Sequence, residues 1–108
     1  MSIDYRIIGK RLQDARKLKK LTQERLAEKL EVSVGYVSQI ERGITKPNLE
    51  MIDTICKHLD CDLSYIVSGV DMSDDTYLQI DIAHNISLLS SREKNIILAL
   101  TQSLLENR

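Results

Sequence analysis

Residues 21–47, LTQERLAEKLEVSVGYVSQIERGITKP, hold two short helical patterns separated by a break. The first opens at Thr22, a good N-cap, and turns Leu26, Ala27 and Leu30 to one face. Arg25 stands three residues after the cap, so this is not a full capping box. Glu31-Val32-Ser33 interrupts the pattern. The second pattern runs from Val34 to Arg42 with Ser33 as its N-cap. Val37, Ile40 and Ile44 recur at helical spacing and are expected in the core. Gly43 supplies the stop, where left-handed backbone is often needed. Two short helices across a tight turn make a helix-turn-helix, and Ala27 must be small if the second helix crosses close to the first.

On the N-terminal side, a helix is expected over 5–19, with Ile8, Leu12 and Ala15 inward and Lys10, Arg11, Lys17 and Lys19 facing out. On the C-terminal side, Thr45-Lys46-Pro47-Asn48 reads as a loop. Asn48 caps a fourth helix reaching Leu59, with Leu49, Ile52, Ile55, Cys56 and Leu59 inward. A fifth, over 63–67, ends at Gly69. Residues 70–75 are polar and acidic and read as a linker. Residues 76–89 and 91–106 form two more helical patterns, the second opened by the capping box Ser90-Ser91-Arg92-Glu93. No internal repeat or low-complexity tract is evident.

Composition agrees with an all-helical chain. The 108 residues include one Pro, 4 Gly and neither Phe nor Trp, so the core must be built from Leu, Ile and Val. The net charge of -1 hides an asymmetry. Residues 1–50 carry 11 Lys/Arg against 7 Asp/Glu, and residues 51–108 carry 4 against 9. A basic first half on an acidic second half suits a polyanion-binding head, although an excess of this size also arises by ordinary fluctuation. No signal peptide is visible, and the longest uncharged apolar run, Asn95 to Leu105, is too short to span a bilayer. A cytoplasmic protein without a membrane partner is expected.

The segments IGKRLQDARK, LTQERLAEKL, VS..YVSQIERG and KPNLEMIDTICKHLDCDLSYIVSG together resemble the Cro/phage-repressor (XRE-type) helix-turn-helix domain. The match covers about two-thirds of the chain and includes the flanking helices, which makes it specific. The resemblance implies a five-helix domain over 1–69 that sets its third helix into the DNA major groove. It implies that Gln23 holds a DNA phosphate beside the helix N-terminus capped by Thr22. It places Ser33, Val34, Gly35, Ser38 and Gln39 against base edges, and Arg42, Lys46 and Asn48 near phosphates. Tyr36 borders core and surface, and phosphate contact and packing both stay open for it. It also pairs Arg16 with Glu41 as a structural tie between the first and third helices. Lys20 and Glu31 depart from the family, standing where glycine commonly ends the first two helices. A non-glycine residue in left-handed backbone costs about 1 kcal/mol.

The chemistry of the DNA-facing set fits these roles. Gln contacts adenine bidentately, Val34 offers an apolar surface to a thymine methyl, and Gly35 lets backbone approach the groove. The face therefore leans toward A·T pairs.

The remaining constellations carry less. Cys56, His58 and Cys61 are too few for a metal site, and residues 56 and 58 point in different directions on a helix. A buried Cys56, an exposed His58 and Cys61 in a turn, with no disulfide, is the expected arrangement. His84 reads as a solvated helix-face histidine. No catalytic set, cofactor site or metal site is found, so an enzyme is not expected. The tail is expected to dimerise through Leu78, Ile82, Ile86, Leu89, Ile96, Ile97, Leu100 and Leu104 or, alternatively, to pack on its own head.

The chain thus reads as a sequence-specific regulator of transcription, a repressor binding double-stranded DNA as a homodimer on a pseudo-palindromic operator. An antitoxin whose tail binds a toxin, or a protein-interaction module that has lost DNA reading, stays open. A protein or peptide anti-repressor and a small molecule both stay open as what would release the DNA.

Overall fold

A computed structural model describes residues 3–71 and 76–108. The chain divides into two compact units, Met1–Asp74 and Asp75–Arg108.

The first unit holds five helices: α1 (Tyr5–Leu18), α2 (Gln23–Leu30), α3 (Val34–Glu41), α4 (Leu49–Leu59) and α5 (Leu63–Val67). Each begins at a side chain that accepts a backbone N–H. Asp4, Thr22, Ser33, Asn48 and Asp62 cap Arg6, Arg25, Tyr36, Met51 and Ser64 respectively. These caps satisfy donors that have no partner inside the helix. The core joins Ile8 and Leu12 of α1, Leu26 and Ala27 of α2, Val37 and Ile40 of α3, Ile52, Ile55, Cys56 and Leu59 of α4, and Ile66 of α5.

Four helices end in the same way. Leu21 N–H donates to Arg16 O, Val32 to Ala27, Ile44 to Gln39 and Cys61 to Cys56. Each bond spans a residue in left-handed backbone: Lys20, Glu31, Gly43 and Asp60. This is the Schellman turn. Only one of the four has the glycine that tolerates it without strain. The Asp60 carboxylate, held below the usual carboxylate range by its bond to Lys19, ties the end of α4 to the end of α1.

Several expectations need correction. Arg11 does not face out: it is 2 % exposed. Its Nη1 donates to the carbonyls of Tyr65 (2.9 Å), Ile66 (3.2 Å) and Ser68 (2.6 Å), and its guanidinium lies over the Tyr65 ring. A cation at the C-terminal end of α5 satisfies carbonyls that the helix leaves open. Ile44 is 60 % exposed, because α3 ends at Glu41 and the chain reverses at Gly43, where helical spacing no longer applies. Leu49 is 61 % exposed and lines an open apolar groove with Tyr5, Pro47 and Val70, beyond the edge of the core. Helix α1 stops at Leu18, one residue early, with Lys19 as its cap. His58 and His84 are half-buried rather than solvated.

Val70 belongs to the core, and its carbonyl accepts the Asp4 N–H at 2.9 Å. The packed unit therefore runs past Gly69, where the domain was expected to end. The rest of the expected linker, 72–75, lies outside the described residues.

The second unit holds α6 (Thr76–Ser87) and α7 (Ser91–Glu106). Helix α6 ends before the expected Leu89. Residues 88 and 89 instead form a turn, with Leu88 and Leu89 donating to Asn85 O and Ile86 O. The capping box at Ser90 and Glu93 is complete in both directions. No described residue of either helix is buried, and the two are not closely packed along their lengths. Leu78, Ile82, Ile96, Leu100 and Leu104 are exposed, whereas Ile86, Leu89 and Ile97 are half-buried.

Candidate nucleic-acid interface

Helix α3 has one face in the core and one in solvent. Val37 and Ile40 are buried, while Ser33, Val34, Gly35, Gln39 and Arg42 are exposed and Ser38 and Tyr36 are half-buried. Tyr36 also packs against the core, which accounts for the inner part of its ring. A Cβ added at Gly35 would meet only the Ser33 hydroxyl, at 3.9 Å. The surface of the helix is therefore open at this point.

The start of α2 lies beside this face. Thr22 is exposed as the cap, with Oγ1 accepting from Arg25 N at 3.1 Å. Gln23 is half-buried, and its Nε2 donates to Glu41 Oε1 at 2.9 Å. That carboxylate is itself buried. Arg16 grips it through Nε to Oε2 (2.7 Å) and Nη2 to Oε1 (3.1 Å), while Arg16 Nη1 donates to Leu21 O at 2.7 Å. Gln13 Nε2 adds a longer bond to Oε1 at 3.4 Å. The Arg16–Glu41 tie thus extends outward to Gln23. One Nε2 hydrogen of Gln23 is used by Glu41, and the second is left for an acceptor.

The loop after α3 folds back on Gln39. Ile44 and Thr45 N–H donate to Gln39 O at 2.9 and 3.3 Å, and Thr45 Oγ1 donates to Gln39 Oε1 at 2.8 Å. The Gln39 amide is therefore oriented before any ligand arrives. Its Nε2 carries two donors, and Oε1 keeps one lone pair. Farther along, Lys46 is exposed, with its ammonium 5.8 Å from the Tyr5 ring centroid. Asn48 is exposed at the start of α4, with Oδ1 accepting from Met51 N at 2.8 Å.

Sequence reading missed three residues that shape this surface. Thr45 lay in a loop without periodicity, and Tyr5 lay at a helix start far from Lys46 in the chain. Gly9 gave no turn signal because it sits inside α1. A Cβ there would stand 2.4 Å from Ile40 O and 2.6 Å from Glu41 O, so Gly9 is what lets α1 lie directly on the end of α3.

Among the described residues no three His, Cys, Asp or Glu side chains gather where they could hold a metal ion. No described helix is long and apolar enough to cross a membrane.

The helix-turn-helix family model matches residues 12–66. An uncharacterized HTH-type transcriptional regulator of Mycobacterium tuberculosis is 29 % identical over 92 residues, covering 83 % of this chain and 66 % of that protein. The transcriptional regulator ClgR of the same organism is 34 % identical, covering 56 % of this chain and 54 % of its own. The immunity repressor protein of Bacillus phage phi105 is 38 % identical, covering 56 % and 42 %. The chain spans less than two thirds of the length of these relatives. Among solved structures, the SinR protein/SinI protein complex aligns with a TM-score of 0.53 at 24 % identity, covering 94 % of this chain and 99 % of that one. That likeness concerns the fold.

Proposed function

From the premise that this chain belongs to the XRE-type helix-turn-helix family of transcriptional regulators, we propose that it binds double-stranded DNA sequence-specifically. It acts in the cytoplasm as a homodimeric repressor on a pseudo-palindromic operator. The observation that carries this reading is the exposed face of α3, where Val34, Gly35 and a pre-oriented Gln39 stand together. Phosphate contacts come from Gln23, Arg42 and Lys46 and from the helix N-termini capped by Thr22 and Asn48. Base contacts come from Ser33, Val34, Ser38 and Gln39, with Tyr36 at the margin. Repression follows from occupying a promoter and excluding polymerase.

A single domain of this size touches one half-site, and a two-fold dimer reads two of them about 34–36 Å apart. In this proposal the unit that packs as far as Val70 is the DNA-binding domain and 76–108 the dimerisation segment. The apolar side chains that α6 and α7 leave in solvent support a second copy as their partner, since such a surface is costly to expose. The full set assigned to it is Leu78, Ile82, Ile86, Leu89, Ile96, Ile97, Leu100 and Leu104.

Selection of bound sites from a random duplex pool tests the reading. The expected result is a two-fold symmetric consensus and an affinity that falls steeply with salt. Recovery of no consensus, or binding indifferent to salt, would overturn it. A chain ending at residue 71 is expected to sediment as a monomer. A dimer there would remove the role of the tail while leaving DNA reading intact.

A further inference from the structure

Cys56 and Cys61 lie outside the proposed DNA face. They occupy the two ends of the Schellman turn that closes α4, with Cys61 N–H donating to Cys56 O at 3.0 Å and Asp60 between them at φ 53°. This turn brings the side chains of its first and last residues into contact. Here both are free thiols, and Cys61 packs against the core that holds Cys56. Their access differs: Cys56 is 2 % exposed in the core, and Cys61 is half-buried. An external reagent therefore meets Cys61 first.

We propose that Cys56 and Cys61 form a reversible dithiol–disulfide site whose substrates are low-molecular-weight disulfides. The Cys61 thiolate attacks one sulfur of the external disulfide, breaking its S–S bond and expelling the first thiolate. A mixed disulfide is left on Cys61. Cys56 then attacks the Cys61 sulfur, its proton passing to the second thiolate as that thiolate leaves. The protein pair gives up two electrons and two protons, and the external disulfide is reduced to two thiols.

The surroundings set this order. The Cys56 S–H, helped by a backbone N–H, holds the Cys61 thiol below its ordinary range against partial burial and the charges of Asp62 and Asp60. The same interaction between the thiols, followed by burial, pushes the Cys56 thiol up. The lower-pKa and better exposed thiol is the attacking one. The ring closed by oxidation is short, so chain entropy adds little to the disulfide and dithiols reopen it.

The test incubates the full chain with oxidised glutathione, quenches free thiols by alkylation, and follows intact mass and peptide maps. The expected course is glutathione on Cys61 first, at a rate on the order of tenfold or more above Cys56, followed by loss of glutathione and of two hydrogens from the protein. Cys56→Ala is expected to stop at the mixed disulfide. Cys61→Ser is expected to leave Cys56 unmodified while circular dichroism shows the folded chain. If either variant unfolds, the wild-type map decides alone. A mixed disulfide that never closes, first attack at Cys56, or a bond only between chains would overturn the proposal.

Discussion

Gln23 Nε2 donates to Glu41 Oε1 at 2.9 Å, so the first residue of α2 is held by the last residue of α3. The same carboxylate is locked by Arg16 of α1, and both members of that ion pair are buried. A side chain assigned to the DNA backbone therefore takes its position from a buried charge pair. Removing one partner of such a pair strands the other without water. Glu41→Ala is expected to cost about 3–5 kcal/mol of stability, read by urea unfolding. Gln23→Ala spares the ion pair, so it should lower affinity for cognate and random duplexes alike with little change in the unfolding midpoint. A cost below about 1 kcal/mol for Glu41→Ala would mean that Arg16 finds other partners.

Thr45 orients Gln39 through one hydrogen bond at 2.8 Å. Thr45→Val keeps the shape and removes the donor. It is expected to cost about 0.5–1.5 kcal/mol of discrimination, confined to the base pair that Gln39 reads. Binding to a panel of single base-pair variants of the selected site measures this. Equal weakening on every duplex would assign Thr45 to the loop fold instead.

Gly9 is the point where α1 touches backbone of α3. A methyl group at 2.4 Å from a carbonyl oxygen cannot be absorbed by a side-chain rotation. Gly9→Ala is expected to destabilise by about 1–3 kcal/mol, although alanine is the better helix former in isolation. Thermal unfolding checks the sign, and a stabilised variant would contradict the close approach.

Two helix starts depend on ionised carboxylates. Asp4 is held below the usual carboxylate range, chiefly by its side-chain bond to Arg6, and Glu93 by the Ser90 backbone N–H and then its hydroxyl. Groups whose folded pKa is depressed stabilise the fold above their unfolded value. They lose that contribution as pH falls through the folded value. Stability should therefore decline over roughly pH 5 to 3, and Asp4→Asn should flatten part of that slope. Circular dichroism of α-helix content across this range reads it, and an unchanged slope in the variant would exclude Asp4 as a contributor.

The helix starts at Thr22, Ser33, Asn48 and Ser90 were legible because a cap is a contract between neighbours in the chain. A side-chain oxygen and an N–H three residues on suffice. The inward stripes of α1 to α4 were legible for the same reason, since helical spacing alone puts Leu12, Leu26, Val37 and Ile52 on one side. The left-handed positions of Lys20 and Glu31 came instead from the family resemblance, which puts glycine there.

What tertiary structure alone decided concerns groups whose partners lie far away in sequence. Arg11 looked like a surface cation until α5 brought three carbonyls to it, 54 to 57 residues on. Spacing put Ile44 and Leu49 inward, but the reversal at Gly43 and the edge of the core at α4 left both outside. Gln39 acquired its orientation from a loop hydroxyl, and Gln23 acquired its own from a carboxylate on another helix. Periodicity reports only the face of one helix. Which charge is buried, which amide is aimed and which glycine is indispensable depend on what the next helix carries when it arrives.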